Sequence, residues 1–228
     1  MPGTARVFFL LLISLLWVSA CREGHQAKPA DIEISEEVSR DTLPAEPEQP
    51  EEEVPTAPPL ESLPDTAFIR LADYSADFSF DLRYATDKNF MKAQVYECPE
   101  CYTRVRTARA LIAANRDFMA QGVRIRFFDC YRPNSVQYKM WEIVPNPQYV
   151  ANPDKGSIHN KGGAVDITLE TLQGEPLDMG TDFDFFGKRA YHDNMDLPEP
   201  ILSNRRLLKE TMEAHGFWSI RTEWWHYN

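Results

Sequence analysis

Two short motifs, far apart in the chain, restrict how this sequence can fold. The first runs from Ser157 to Asp166 as Ser-Ile-His-Asn-Lys-Gly-Gly-Ala-Val-Asp, and the second is Glu-Trp-Trp-His, ending at His226. Two imidazoles and one carboxylate, from His159, Asp166 and His226, are a ligand set of catalytic zinc sites, where the fourth position stays open for water. Glu223 stands where it can take a proton from that water. The motifs are therefore predicted to meet around one zinc ion.

The spacing inside the first motif predicts a turn followed by a strand. His159 and Asp166 are too far apart to be neighbours on one strand, and Gly162 and Gly163 permit the chain to reverse because glycine has no Cβ to clash at positive φ. Residues 164–169 then combine β-branched and apolar residues, which favours a strand. Asp166 is thus expected on a rigid element and His159 on the loop before it.

The second motif presents a geometric problem. On a regular strand Glu223 and His226 point to opposite faces, whereas on a helix they are neighbours. The aromatic residues around them favour a strand. Either a bulge redirects one side chain, or water bridges around the strand edge, and both alternatives stay open at this point.

These motifs also carry a family resemblance. Together with Asp-Cys-Tyr-Arg-Pro at 129–133, and with the segments 82–86, 89–90 and 177–184, they resemble the D-alanyl-D-alanine dipeptidases, zinc enzymes of the vancomycin-resistance dipeptidase type. The resemblance covers about residues 66–228. It implies zinc-dependent hydrolysis of the small peptide D-Ala-D-Ala.

The resemblance also implies roles for four further residues. Arg132 would stabilise the negative oxygen of the tetrahedral intermediate. Asp184, Tyr84 and Ser157 match positions near the substrate, and Asp184 is the natural partner for its ammonium group. Each residue has an ordinary alternative: a surface ion pair with Asp129 for Arg132, a cap or turn for Asp184, the core for Tyr84, and a turn for Ser157.

Other histidines and cysteines are weaker candidates for the metal. His192 is the one serious rival ligand, but it lacks a suitably spaced partner. Cys98 and Cys101 could form half of a structural zinc site, yet no second Cys/His pair follows at the required spacing. A disulfide is favoured in an oxidising compartment, and Cys130 could join it or be buried as a thiol.

The N-terminus has the pattern of an exported lipoprotein. After Arg6, an apolar run over 7–18 is too short for a membrane span and suits a signal peptide. It leads to Val-Ser-Ala-Cys, which predicts a signal peptide over 1–20, lipidation of Cys21, and a membrane-anchored protein in the periplasm or at the cell surface. The alternative is an ordinary signal peptide that happens to contain a cysteine.

The segment from Cys21 to residue 65 is predicted to be a disordered tether. Residues 22–66 hold 13 Asp or Glu against three Lys or Arg, a net charge of −10, and eight of the 17 prolines. Such a composition cannot bury enough apolar surface to offset the entropy of ordering. The whole chain carries −11, so the remainder is nearly neutral and offers no basic patch for nucleic acid.

Residues 66–228 are predicted to form one α+β domain, with a central, mostly antiparallel sheet flanked by helices. The expected elements are helices over 103–119, from 134 or 135 to 141, and from a Ser203 cap to Gly216, and strands over 123–128, 164–169 and 217–227.

Two other functions remain open from the sequence. One is a carboxypeptidase or endopeptidase acting on peptidoglycan stem peptides. The other is a non-catalytic zinc-bound module that binds wall fragments. Glu223 and Arg132 argue against the non-catalytic module, because neither residue is needed to hold the metal.

Overall fold

The computed structural model describes residues 57–228, in which short strands build two sheets. A small antiparallel pair joins β1 and β3, and a five-stranded sheet has the order β2-β4-β5-β7-β6. Only β2 and β4 run parallel in it. The strands are β1 (Phe68–Arg70), β2 (Ser79–Phe80), β3 (Tyr102–Arg104), β4 (Val123–Asp129), β5 (Val165–Thr171), β6 (Ser219–Ile220) and β7 (Glu223–Tyr227). The α+β class and the mostly antiparallel sheet predicted from the sequence are confirmed.

Three helices accompany the sheet: α1 (Val105–Met119), α2 (Asn134–Ile143) and α3 (Glu199–Ala214). The buried side of α1 follows the helical period, with Val105, Ala108, Leu111 and Phe118 all fully buried. This helix packs against β4 and α3, while α3 also contacts β7. Among residues 57–228, none of the helices combines the length and apolar character required to cross a membrane.

Some predicted boundaries were wrong. The first helix begins at Val105 and not at 103, because Thr103 and Arg104 belong to the strand β3, which pairs with β1. The third helix begins at Glu199, after Pro198, and not at a Ser203 cap, because prolines are well suited to the first turn of a helix. The C-terminal segment forms the antiparallel strands β6 and β7 where one strand was expected. Elsewhere β4 lies where the alternation of residues predicted it, and β5 occupies most of the strand that the β-branched and apolar residues predicted over 164–169.

The signal peptide over 1–20, Cys21 and most of the predicted tether lie outside the described residues. The tether's predicted end is described, and there Leu60 and Leu63 pack against the hydrophobic core. Arg109 of α1 donates hydrogen bonds to both of their carbonyl oxygens, at 2.6 and 3.2 Å, and pairs with Asp65 at 2.6 Å. Contact with the domain therefore begins before residue 66.

Candidate active site

The predicted metal ligands meet at the edge where β5 and β7 pair. Asp166 lies opposite His226 in the antiparallel register, so the sheet itself brings these two side chains together. His159 lies in a 3-10 turn (His159–Lys161) that ends at Gly162, whose φ of 69° is the positive value expected for a glycine turn. Sheet pairing and this turn thus bring the two motifs to one place, as the sequence predicts.

The three donor atoms are spaced as a zinc ion requires. His226 Nδ1 lies 2.9 Å from Asp166 Oδ1, and His159 Nε2 lies 3.2 Å from His226 Nδ1 and 3.4 Å from Asp166 Oδ1. A tetrahedral zinc with ligand bonds of about 2.0 Å separates its ligands by about 3.3 Å. Within residues 57–228 these three residues form the one group of His, Cys, Asp or Glu side chains able to hold a metal ion.

Hydrogen bonds on the far side of each imidazole select the atoms that face the metal position. His159 Nδ1 donates to the carbonyl oxygen of Cys130 at 2.8 Å, and His226 Nε2 donates to Asn228 Oδ1 at 3.0 Å. The remaining ring nitrogens then face Asp166, whose pKa is held well below its ordinary value by the two imidazoles despite its burial. Such converging lone pairs repel one another unless a proton or a metal cation lies among them, so the donor set fits zinc.

Glu223, the first residue of β7, is half-buried beside this group. Burial and the negative charge of Asp166 raise its pKa, which suits a group that must accept a proton near neutral pH. The strand is irregular here: Ile220 pairs with Glu223 but Ser219 pairs with Tyr227. Such a shift in the pairing is the feature expected for the first alternative, a bulge that redirects one side chain.

Arg132 is buried, with 7% of its surface exposed. Its Nε and Nη2 donate to Asp129 Oδ2 at 3.1 and 2.6 Å, and its Nη1 donates to Gln137 Oε1 at 3.0 Å. The ion pair with Asp129 therefore forms, but not on the surface. Although burial disfavours the cation, Asp129 keeps the pKa of Arg132 well above its ordinary value, so the guanidinium stays charged.

Tyr84 and Asp184 form a second polar group next to Arg132. The guanidinium carbon of Arg132 lies 5.2 Å from the centre of the Tyr84 ring, and Tyr84 Oη donates to Asp184 Oδ1 at 3.0 Å. Asp184 Oδ2 is buried with no hydrogen-bond partner among residues 57–228. Burial, followed by the charge of Asp166, raises the pKa of Asp184 well above its ordinary value. An unpartnered carboxylate oxygen at this depth is a ready acceptor for a cationic ligand.

Ser157 acts in the structure as a turn residue. Its Oγ accepts a hydrogen bond from the backbone N–H of His159 at 3.1 Å, and its own N–H donates to Asn160 Oδ1 at 2.6 Å. Asn160 Nδ2 in turn donates to the carbonyl oxygen of Arg132 at 2.7 Å. These bonds hold the turn of His159 against the segment of Arg132.

The rival candidates lie elsewhere. His192 is half-buried near Tyr227, with a ring-centre distance of 6.2 Å, and is not part of the metal-binding group. Burial, assisted by the positive charge of Lys209, lowers the pKa of His192 to about 4. It is therefore neutral over the physiological range.

The cysteine pairing, left open by the sequence, is decided by the fold. Cys101 forms a disulfide with Cys130, and Cys98 is an exposed free thiol. Because the carbonyl oxygen of Cys130 accepts the hydrogen bond from His159, the disulfide ties that part of the site to the start of β3. Sequence reasoning also overlooked Gln137 and Asn228, which touch Arg132 and His226 and carry no motif of their own.

Comparison with known proteins agrees with this geometry. The model of the family described as D-ala-D-ala dipeptidase, Peptidase_M15, matches residues 65–228. The chain belongs to this family. A D-alanyl-D-alanine dipeptidase of Escherichia coli (strain K12) is 33% identical over 162 residues, which are 71% of this chain and 84% of the relative. Another, from Enterococcus faecalis, is 30% identical over 184 aligned positions, and the match covers 72% of this chain and 91% of the relative.

A solved structure is also similar in part. It is the vancomycin-resistance D,D-pentapeptidase VanY in complex with Zn(II), with 17% sequence identity and a TM-score of 0.39 over 58% of this chain and 75% of that chain. Membership of the dipeptidase family makes the present chain a metallopeptidase, and its convergent donor set fits a zinc cofactor.

Proposed function

We propose that the protein hydrolyses the free dipeptide D-Ala-D-Ala with a zinc-activated water, and that His159, Asp166 and His226 hold the metal. When bound, zinc lowers the pKa of a water molecule at its open position and polarises the peptide carbonyl. Glu223 accepts the proton of that water and passes it to the leaving amine. The raised pKa of Glu223 supports both steps, because the carboxylate takes up the proton from water more readily and still gives it to the amine.

Arg132 is proposed to stabilise the negative oxygen that develops during attack. A buried cation that is already fixed by Asp129 and Gln137 requires little rearrangement at the moment of reaction. Its position against the Tyr84 ring places it beside the residues proposed to bind the substrate.

One observation carries the choice of a free dipeptide: the buried, unpartnered Oδ2 of Asp184. A free dipeptide brings an ammonium group, which can satisfy this oxygen, whereas a stem peptide brings an amide in its place. Tyr84 holds the other carboxylate oxygen at 3.0 Å and thereby aims it. Ser157, at the turn of His159, is proposed to lie near the bound substrate as well.

The test compares substrates that differ only at the amine. Zinc-loaded protein is incubated with D-Ala-D-Ala, N-acetyl-D-Ala-D-Ala and a pentapeptide stem, and released D-alanine is measured. Removing the charge partner of Asp184 should lower kcat/KM at least about a hundredfold for the two blocked peptides. Equal hydrolysis of free and blocked peptides would favour the wall carboxypeptidase, and no hydrolysis with full zinc would favour the non-catalytic module.

We further propose that the protein is exported and anchored to a membrane through lipid on Cys21. The support is the apolar run over 7–18 followed by small residues and a cysteine, and the acidic, proline-rich segment behind it. In membrane fractionation, Cys21→Ser should release a soluble or uncleaved form of the protein from the membrane fraction. Unchanged fractionation would contradict lipidation and favour the ordinary signal peptide.

A further inference from the structure

Gln137, in the middle of α2, has a buried side-chain amide whose oxygen and nitrogen both form hydrogen bonds. None of its surface is exposed. Its Oε1 accepts from Arg132 Nη1 at 3.0 Å, and its Nε2 donates to the carbonyl oxygen of Ala151 at 2.8 Å. Burying an amide costs free energy unless the amide is hydrogen-bonded. If this helix position only had to be packed, an apolar side chain would be more favourable.

The bonds to Asp129 and to Gln137 constrain Arg132 in different ways. Asp129 lies only three residues before Arg132, so its two hydrogen bonds hold the guanidinium against its own segment of chain. Tyr96 Oη donates to Asp129 Oδ1 at 2.6 Å and supports that carboxylate. Gln137 hydrogen-bonds the guanidinium to α2 and, through the carbonyl oxygen of Ala151, connects it to the loop over 144–156.

This loop also reaches the substrate side of the site. The ring of Tyr149 meets Phe186 edge-on, with the ring centres 4.5 Å apart, and Phe186 lies two residues beyond Asp184. The ring of Phe186 also packs edge-on against the ring of Phe90, with the ring centres 5.0 Å apart. The loop over 144–156 therefore contacts the segment of Asp184 on one side and, through Gln137, Arg132 on the other.

We propose that Gln137 is a positioning residue, which sets the guanidinium of Arg132 for the transition state by bonding it to the loop over 144–156. The inference rests on the proposed function, because it takes Arg132 to act on the developing negative oxygen. Gln137 contacts neither the metal ligands nor Asp184 in the hydrogen bonds of residues 57–228. Its effect on the reaction therefore passes through Arg132.

A double-mutant cycle tests this proposal. Gln137→Met keeps the volume and removes both hydrogen bonds, and kcat should fall about 10- to 100-fold because the cation is misplaced, with KM little changed. In an Arg132→Ala background the same change should alter kcat less than about twofold, since the residue it acts through is absent. Gln137→Glu retains the acceptor for Arg132 but loses the donor to the carbonyl oxygen of Ala151, so it should recover only part of the lost kcat.

A matched control is Asn115→Leu, which removes a buried amide of α1 that bonds Ile125 N at 2.8 Å, away from Arg132. It should lower stability and leave kcat unchanged. Zinc content and thermal unfolding are measured for every variant, and Gln137→Asn, one methylene shorter, replaces Gln137→Met in the cycle if the Met variant does not fold.

Three results would overturn the inference: wild-type kcat in Gln137→Met, an equal loss of kcat with and without Arg132, or wild-type kcat in Gln137→Glu, which lacks the hydrogen bond to Ala151. The cycle is run on whichever peptide the substrate comparison shows to be cleaved best. A failure of D-Ala-D-Ala as substrate thus counts against the proposed function alone, whereas an additive cycle counts against Gln137 alone.

Discussion

The metal side and the proposed substrate side of the site are built differently. Asp166 and His226 face each other across paired strands, and both imidazoles have hydrogen-bond partners behind them. Asp184 instead lies in a loop at φ 60°, a strained value for a residue with a Cβ, and one of its buried oxygens has no partner among residues 57–228. The paired strands hold the metal ligands in position, whereas the loop buries a carboxylate oxygen of Asp184 to which a ligand can hydrogen-bond.

Breaking the metal side should have the largest effect. His226→Ala removes one of three donors from a site that the backbone cannot rearrange, so most bound zinc and nearly all activity should be lost. Metal analysis of the purified variant checks this. His192→Ala is the control: because that half-buried histidine lies outside the metal-binding group, the variant should keep one zinc per chain. Full zinc occupancy in His226→Ala would show that the ligand assignment is wrong.

Removing the proton acceptor should separate chemistry from metal binding. Glu223→Gln keeps the shape of the side chain and the three metal donors, so zinc should remain while kcat falls about 10²- to 10⁴-fold. The measurement is kcat together with zinc content, and exposed Glu199→Gln should behave as wild type. If Glu223→Gln retained wild-type kcat, another group would have to be the base.

On the substrate side, the effect should depend on the substrate. Asp184→Asn keeps an acceptor for Tyr84 but removes the charge, so kcat/KM for free D-Ala-D-Ala should fall about a hundredfold. N-acetyl-D-Ala-D-Ala has no ammonium group, so its kcat/KM should fall far less. The difference in kcat/KM between the free and the blocked peptide should therefore become smaller. The control is Asp182→Asn, at an aspartate whose side chain is 76% exposed, and it should leave the difference in kcat/KM between the two peptides unchanged. An equal loss for both peptides would exclude pairing between Asp184 and the ammonium.

The smallest effect concerns the stability of the substrate-free protein. Since the pKa of Asp184 is raised by folding, the unfolded chain ionises first, and the wild type loses stability as the pH rises above the ordinary aspartate pKa. Asp184→Asn should therefore increase the free energy of unfolding by about 1 kcal/mol at pH 7, and the gain should vanish in acid. Urea unfolding with saturating zinc across this pH range measures it. A variant less stable than wild type at pH 7 would mean that Oδ2 of Asp184 has a partner in the folded protein.

The sequence predicts elements that depend on neighbouring residues better than contacts between segments far apart in the chain. The strands β4 and β5 follow from alternation and β-branched residues, and Gly162 takes the positive φ that the turn before β5 requires. The start of α3 was misjudged because a serine and a proline both mark helix starts, and local pattern does not rank them. The β6 and β7 pairing was missed for a similar reason, since one aromatic-rich run can form one strand or two.

For the site, residue identity and spacing predicted a group comprising His159, Asp166, Glu223 and His226, because zinc chemistry limits both the ligand types and the need for a nearby base. The sequence by itself determined this chemistry. Tertiary structure decided the rest: that Asp129 is buried with Arg132, that Cys130 pairs with Cys101 and not with Cys98, and that Gln137 reaches Arg132. These contacts depend on how separate elements pack, and neither a hydrogen bond between elements nor the orphaned oxygen of Asp184 leaves a periodic signal in the chain.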